Sequence, residues 1–325
     1  MILSLGKSFH LVDQELKKLD LQGEPLSLYE PIRYILNLGG KRLRPILTLY
    51  AHHIFSDDIK QVLRPALAVE VFHNFTLMHD DIMDKAPLRR GHATVHERWD
   101  NNVAILSGDA MLVKAYELFA GLNADIYKKV IERFNKTALE VCEGQMLDMN
   151  YEALEEVTEA EYLRMIELKT SVLLGFSLEL GALIAGVDDK LAAKLFKVGV
   201  DAGIGFQIKD DLLDLYGASD KVGKQVGGDI IANKKTYLLV KFMEVASKDD
   251  RKQANAWLKK KDFDKQEKVA FFKAMFDKYD IADAAEVLIN TSFDRAMLQL
   301  EGYKADLLRK GKLKRLLINL IQREN

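Results

Sequence analysis

Phe75-Thr76-Leu77-Met78-His79-Asp80-Asp81-Ile82-Met83-Asp84 sets three carboxylates within five residues, at i, i+1 and i+4. On a helix each residue turns about 100° and four residues climb about 6 Å, so Asp80 and Asp84 share one face, one turn apart. Like charges at that spacing repel and weaken a helix. One reading is a solvated acidic turn. The other is a cation site, because hard cations such as Mg²⁺ take oxygen ligands and neutralise such a cluster. Apolar Ile82 and Met83 within the stretch, and Phe75 to Met78 before it, point to a partly buried helix end.

The same spacing returns at Asp210-Asp211-Leu212-Leu213-Asp214. With 28 aspartates in 325 residues, chance supplies about 0.2 copies of this pattern, so two copies stand above background. Asp57-Asp58, Asp188-Asp189 and Asp249-Asp250 lack the third member and read as surface pairs.

The composition is 48% hydrophobic, enough for a large core around a shared cavity. A formal charge of −2 argues against a nucleic-acid partner. The single cysteine, Cys142, excludes an internal disulfide, fits a reducing cytoplasm and reads as a small buried hydrophobe. Met1 to Phe9 carry no signal-peptide pattern. Val172 to Val187, the most apolar run, contains Ser177 and Glu179 and falls short of a membrane span.

All five prolines lie within the first 87 residues, which leaves the rest open to long helices. Apolar residues recur at helical spacing in Leu63–Met83, Val103–Leu118, Tyr127–Met149, Tyr162–Ala185, Leu191–Leu215 and Thr236–Val245. Thr158 with Glu161 matches a capping box. No strand or hairpin signal is evident, and the Lys- and Asp-rich stretch 247–268 reads as a solvated connection. The expectation is one all-α domain over residues 1–325.

Several basic segments accompany the acidic pairs. Gly39-Gly40-Lys41-Arg42-Leu43-Arg44-Pro45 is a turn suited to phosphate. Arg89-Arg90-Gly91 follows Asp84. His73 lies seven residues before Asp80, about 20° from it around the helix. His92 and His96, at i and i+4, read as non-metal residues. Lys169, followed by Thr170, sits in an apolar helix and needs a partner or a ligand. Gly223-Lys224, Gly227-Gly228-Asp229 and Lys234-Lys235 read as a lid that closes over charge, or as an ordinary surface loop. Two acidic clusters ringed by Arg and Lys suit an anion bridged by cations, and diphosphate is the obvious one.

From Gly39 to Thr236 the chain resembles the trans-isoprenyl diphosphate synthases, or polyprenyl synthetases, through GGKRLRP, DDIMD, RRG, GDA at Gly108–Ala110, GQMLD, KT, FQIKDD and KDDLLD. The resemblance implies an all-α, single-domain antiparallel helix bundle around a deep central cavity, as a homodimer. It implies Mg²⁺, three ions with diphosphate, on Asp80, Asp84 and Asp210, with Asp81, Asp211 and Asp214 completing the acidic walls. It assigns Arg89, Lys169, Lys224 and Lys234 to an allylic diphosphate, and Lys41, Arg44, His73 and Arg90 to isopentenyl diphosphate. Thr170 and Gln207 would flank the developing cation. Asn233 stands where the family usually has glycine, and His92-Ala93 replaces the usual residue-proline pair. Helical geometry alone favours Thr76 as a cavity-lining residue, with Phe75 on the flank. The resemblance points to both as chain-length positions and implies a C20 product, with C15 a close second. A terpene cyclase, a non-catalytic partner subunit and a plain structural bundle are the competing readings. The second basic site argues against the first, the two intact aspartate clusters against the second, and the unexplained charges against the third.

Overall fold

The computed structural model describes residues 4–217, 226–303 and 305–321. In chain order the elements are α1 Leu5–Lys17, α2 Leu26–Asn37, α3 Leu43–Phe55, α4 Ile59–Met83, β1 Leu88–Arg89, β2 His92–Ala93, α5 Val95–Arg98 and α6 Asn101–Phe119. There follow α7 Ala124–Glu152, α8 Glu159–Ile166, a π-helical turn Glu167–Ser171, α9 Val172–Ile184 and α10 Asp189–Tyr216. After these come α11 Gly228–Ile231, α12 Tyr237–Val245, α13 Lys248–Lys259, α14 Lys265–Lys278, α15 Ile281–Glu301 and α16 Leu307–Ile321. The fold is all-α. Among the described residues no helix is long and apolar enough to cross a membrane.

Two compact units divide the chain. The first comprises Met1–Lys136, Leu173–Phe196 and Gly302–Lys314. There α4 packs on α3 and α6, α2 on α6, and α1 on α3. Its core contains aromatic rings packed edge to face or tilted. Phe134 lies 5.0 Å, centroid to centroid, from each of Phe72, Tyr116 and Phe119, and 5.6 Å from Phe176. Such pairs add about 0.5–1.5 kcal/mol each beyond area burial. The second unit comprises Thr137–Val172, Lys197–Glu301 and Arg315–Asn325. There α12 packs on α8 and α15, and α14 packs on α11, α13 and α15.

The capping box at the start of α8 is present, with Thr158 and Glu161 each bonded to the other's backbone. Three expectations change. Residues 248–259 form a helix rather than a solvated connection: the Ser247 hydroxyl accepts from the Asp250 N–H, and Ala254 is fully buried. Frequent lysines concealed that amphipathic helix. A hairpin exists, with Leu88 opposite Ala93 and Arg89 opposite His92. Arg90 and Gly91 both take positive φ, 53° and 78°, as a two-residue hairpin turn requires. Its strands, two residues each, are too short to show alternation. Cys142 is exposed rather than buried. It shares α7 with exposed Leu139, Met146 and Met149, at helical spacings of three and four residues.

His52, near the end of α3, is fully buried, and neither ring nitrogen has a hydrogen-bond partner among the described residues. Burial pulls it from the ordinary 6.5 down to about 4, against the charge of Asp58. An unfolded chain takes up this proton near pH 6.5 but the native one only near 4, so native stability is full above 6.5 and falls as pH drops through that window. The loss is at most about 3 kcal/mol. His52→Leu should shrink the difference in unfolding free energy between about pH 7.5 and about pH 4.5 by ~2 kcal/mol. An unchanged difference in denaturant titrations would rule out His52 as a source of acid sensitivity.

Candidate active site

The first aspartate motif forms the end of α4, with Asp84 as its C-cap. Its three carboxylates are not equivalent. Asp81 is buried, while Asp84 is exposed and Asp80 half-buried. Arg89, delivered by β1, grips Asp81 through Nε at 3.0 and 3.2 Å and Nη2 at 2.5 Å, and that Nη2 also lies 3.7 Å from Asp80. Burial raises the Asp81 carboxyl above its usual range, and Arg89 draws it back. Burial works against the Arg89 charge too, but its hydrogen bonds to Asp81 leave it raised. Arg89, assigned from sequence to the allylic diphosphate, is thus first a brace for the aspartate turn.

The basic turn before α3 is built on left-handed backbone, with φ of 82° at Gly39, 124° at Gly40 and 48° at Arg42. Arg42 holds it from inside. It is buried, and its Nη1 donates to Glu70 Oε1 at 2.8 Å and its Nη2 to Leu36 O at 2.5 Å. Asn74 Nδ2 adds donors to Glu70 O and Oε1 at 2.8 and 3.3 Å. The Arg90 guanidinium donates to Gly39 O, and a Cβ at residue 40 would come within 2.8 Å of its Cζ. Glycine there lets the turn and Arg90 meet. Arg44 is lowered to about 10 by burial, opposed by the charge of Glu70 and reinforced by that of Arg90. Its Nε has no hydrogen-bond partner among the described residues. His73 is held well below its usual range by burial and then by the charges of Arg44, Arg90, Arg89 and Arg42. The structure therefore joins Arg44, His73 and Arg90 into one positive site around a neutral imidazole. Lys41 lies exposed beside them.

The second motif ends α10, and again the middle aspartate turns inward. Asp211 accepts from Tyr162 OH at 2.5 Å, the Tyr237 N–H at 2.8 Å and Gln207 Nε2 at 3.2 Å. Burial pushes it up to about 7, against the pull of these donors. Thr170 Oγ1 donates to Gln207 Oε1 at 3.2 Å, so the two residues expected to flank the cation do meet. Thr170 and Lys169 lie on the π-helical turn, a distortion that often marks functional sites. Lys169 finds the partner it needs in Asp148, at 2.5 Å. A Cβ at residue 144 would sit 2.2 Å from Lys169 N, so Gly144 of the GQMLD segment makes room for this turn. Asp214 Oδ2 accepts the Asp229 N–H at 3.1 Å, tying the motif to α11. Lys234 follows α11. Lys224 lies outside the described residues.

Sequence reasoning missed Glu70, the counter-charge of Arg42, and Tyr162, the donor to Asp211. A buried Glu in the apolar run 62–72 was the available signal for the first. Tyr162, separated from Asp211 by 49 residues, carried none.

Phe75 and Thr76 sit one turn N-terminal to Asp80. The Phe75 ring packs 5.5 Å from Phe72 and 4.8 Å from His79, whose Nε2 is 3.1 Å from Ile105 O. Thr76 is half-buried and donates to His73 O at 2.8 Å.

Among the described residues no three His, Cys, Asp or Glu side chains converge on a preformed metal site, and His92 and His96 lie on different elements. Half-buried Asp80 and exposed Asp84, one turn apart at the end of α4, fit a hard cation held through one or two carboxylates and completed by substrate phosphates.

A family profile described as Polyprenyl synthetase matches residues 25–275. The chain is 40% identical over 236 residues to the geranylgeranyl pyrophosphate synthase of Geoglobus acetivorans, covering 72% of this chain and 74% of that protein. It superposes on a crystal structure of a geranylgeranyl pyrophosphate synthase with a TM-score of 0.94 and 42% identity, over 100% of both chains. It also matches the polyprenyl synthase of Caulobacter crescentus CB15 complexed with calcium and isoprenyl diphosphate, with a TM-score of 0.88, 26% identity, and coverage of 99% of this chain and 96% of that one. The chain belongs to the polyprenyl synthetase family and is a prenyltransferase.

Proposed function

We propose that this prenyltransferase condenses isopentenyl diphosphate with an allylic diphosphate and releases a short all-trans prenyl diphosphate, chiefly C20, with C15 next. The observation that carries this reading is the positive site of Arg44, His73 and Arg90, opposite in charge to the aspartates. A cyclase needs one diphosphate site; this chain offers a second, built from the guanidinium groups of Arg44 and Arg90.

Asp80, Asp84 and Asp210 are the residues to hold Mg²⁺, three ions in all. When bound, the cations supply Lewis-acid stabilisation of the departing diphosphate. Lys169 and Lys234 add positive charge on the allylic side, in the role also assigned to Lys224. The allylic C–O bond breaks and its electron pair leaves with diphosphate. The isopentenyl double bond then attacks the allylic carbon. Thr170 and Gln207 present oxygen lone pairs that stabilise the positive charge without accepting its proton. The lost proton passes to diphosphate, and the product is an allylic diphosphate one C5 unit longer. His73, kept neutral by its surroundings, hydrogen-bonds the isopentenyl diphosphate without adding or removing charge.

The whole chain works as one domain and as a homodimer in the cytoplasm. Exposed Ile105, Leu106 and Val113 on α6 support an association surface. An exposed free thiol at Cys142 suits a reducing compartment.

The test is incorporation of labelled isopentenyl diphosphate with dimethylallyl, geranyl or farnesyl diphosphate, with and without Mg²⁺. Arg44→Ala should raise KM for isopentenyl diphosphate about 10- to 100-fold, the worth of one charged hydrogen bond, and leave the allylic KM near normal. Equal effects on both substrates would refute the two-site division.

A further inference from the structure

Lys268, on α14, is fully buried, yet among the described residues no carboxylate pairs with it. An ammonium in such a place is costly unless its hydrogen bonds serve something. Its Nζ donates to Asn233 Oδ1 at 2.5 Å and reaches Ile231 O at 3.5 Å, and it lies 4.3 Å from the centre of the Phe263 ring.

Asn233 takes a left-handed backbone, φ 59°, immediately before Lys234. Its other amide atom, Nδ2, donates to Leu258 O at 3.1 Å. Both ends of the segment are fastened to the second aspartate motif. The Gly227 N–H donates to Asp214 O at 2.8 Å and the Asp229 N–H to Asp214 Oδ2 at 3.1 Å; ten residues on from Gly227, the Tyr237 N–H donates to Asp211. Between those ends, the Lys234 N–H bonds to Asp229 O at 2.9 Å and the Thr236 N–H to Lys234 O at 3.0 Å. The middle of the segment is held from behind by the grip of Lys268 and Leu258 on the Asn233 amide.

We propose that Lys268 is a positioning residue. By fixing Asn233 in its left-handed conformation, it sets where Lys234 stands relative to Asp210 and Asp214, and so how well the allylic diphosphate binds. A glycine at 233 would take that conformation with no steric cost and need no such brace. An asparagine tolerates it but gains from being held. The proposal rests on the assignment of Lys234 to the allylic diphosphate.

The test is steady-state kinetics with both substrates on three variants, each checked by thermal unfolding. Lys268→Met keeps the volume and removes the ammonium, a replacement that buried charged sites tolerate well. It should raise the allylic KM about tenfold, as loss of one charged hydrogen bond implies, and leave the isopentenyl KM unchanged. Adding Asn233→Gly to Lys268→Met should bring the allylic KM back to within about twofold of the unmodified protein. Lys234→Ala marks the largest effect available through this route. If Lys234→Ala raises the allylic KM and Lys268→Met does not, the positioning role is overturned while the Lys234 assignment stands. If Lys234→Ala leaves the allylic KM unchanged, that assignment fails and takes the positioning role with it. Equal rises in both KM values with a lower melting temperature, or no recovery with Asn233→Gly, would show a packing role only and overturn the proposal.

Discussion

Asp80→Ala and Asp210→Ala should each reduce turnover by roughly 10²–10³-fold or more, the scale on which removing charge stabilisation acts in a transition state. The helical circular-dichroism signal should be retained. Both residues open their motifs and lie half-buried at the end of a long helix, so truncation removes a ligand without cutting the core. The neighbouring aspartates should behave differently. Asp81→Ala leaves Arg89 without the carboxylate it grips at 2.5 Å, and breaking a buried pair in this way costs about 3–5 kcal/mol. Asp81→Ala should therefore lose stability as well as turnover, whereas Asp80→Ala should lose turnover alone. Activity assays with Mg²⁺ in excess, alongside denaturant melts, separate the two. Near-normal turnover in Asp80→Ala and Asp210→Ala would reject these residues as cation ligands.

That contrast marks where sequence reasoning stopped. The i, i+4 spacing was enough to put Asp80 and Asp84 on one helix face, because a helix fixes such relations locally. Which carboxylate turns inward depends on partners that arrive from elsewhere in the chain: Arg89 by way of a hairpin, and Tyr162 from a helix 49 residues before Asp211. The long helices were legible because 3.6-residue periodicity and the absence of proline after residue 87 are local signals. The π-helical turn at 167–171 was not, because it depends on the backbone of Gly144 coming close to Lys169. The Lys268 brace was equally hidden, since a lysine among charged residues reads as solvated. Asn233 was noticed only as a departure from glycine. The structure supplies the reason, a positive φ held by side-chain hydrogen bonds.

Product length offers the second large effect. Phe75→Ala should lengthen the main product by about one C5 unit, and Thr76→Phe should shorten it to C15 or less. A chain growing away from the aspartates along α4 meets residues 75 and 76 about 6–7.5 Å below Asp80. Phe75 does not stand alone. Its ring rests on Phe72, roughly 4.5 Å further along the helix axis, and Phe72 in turn packs at 5.0 Å on Phe134. Phe134 is backed by Tyr116, Phe119 and Phe176, so removing Phe75 exposes a second aromatic layer rather than an open channel. The gain from Phe75→Ala is therefore limited, and growth beyond it requires Phe72→Ala as well. Phe72 is about 1% exposed, and its truncation should cost about 3–5 kcal/mol, so the double variant must be assayed well below its melting temperature. Thr76 should act by the opposite route: it is small, half-buried and bonded to the backbone of its own helix, so a phenyl ring there should take space from the chain. Chromatography of the dephosphorylated products decides between these outcomes. Products of C30 or longer from the unmodified protein would refute the short-chain assignment. An unchanged profile in Phe75→Ala would place the barrier at the Phe72 layer instead.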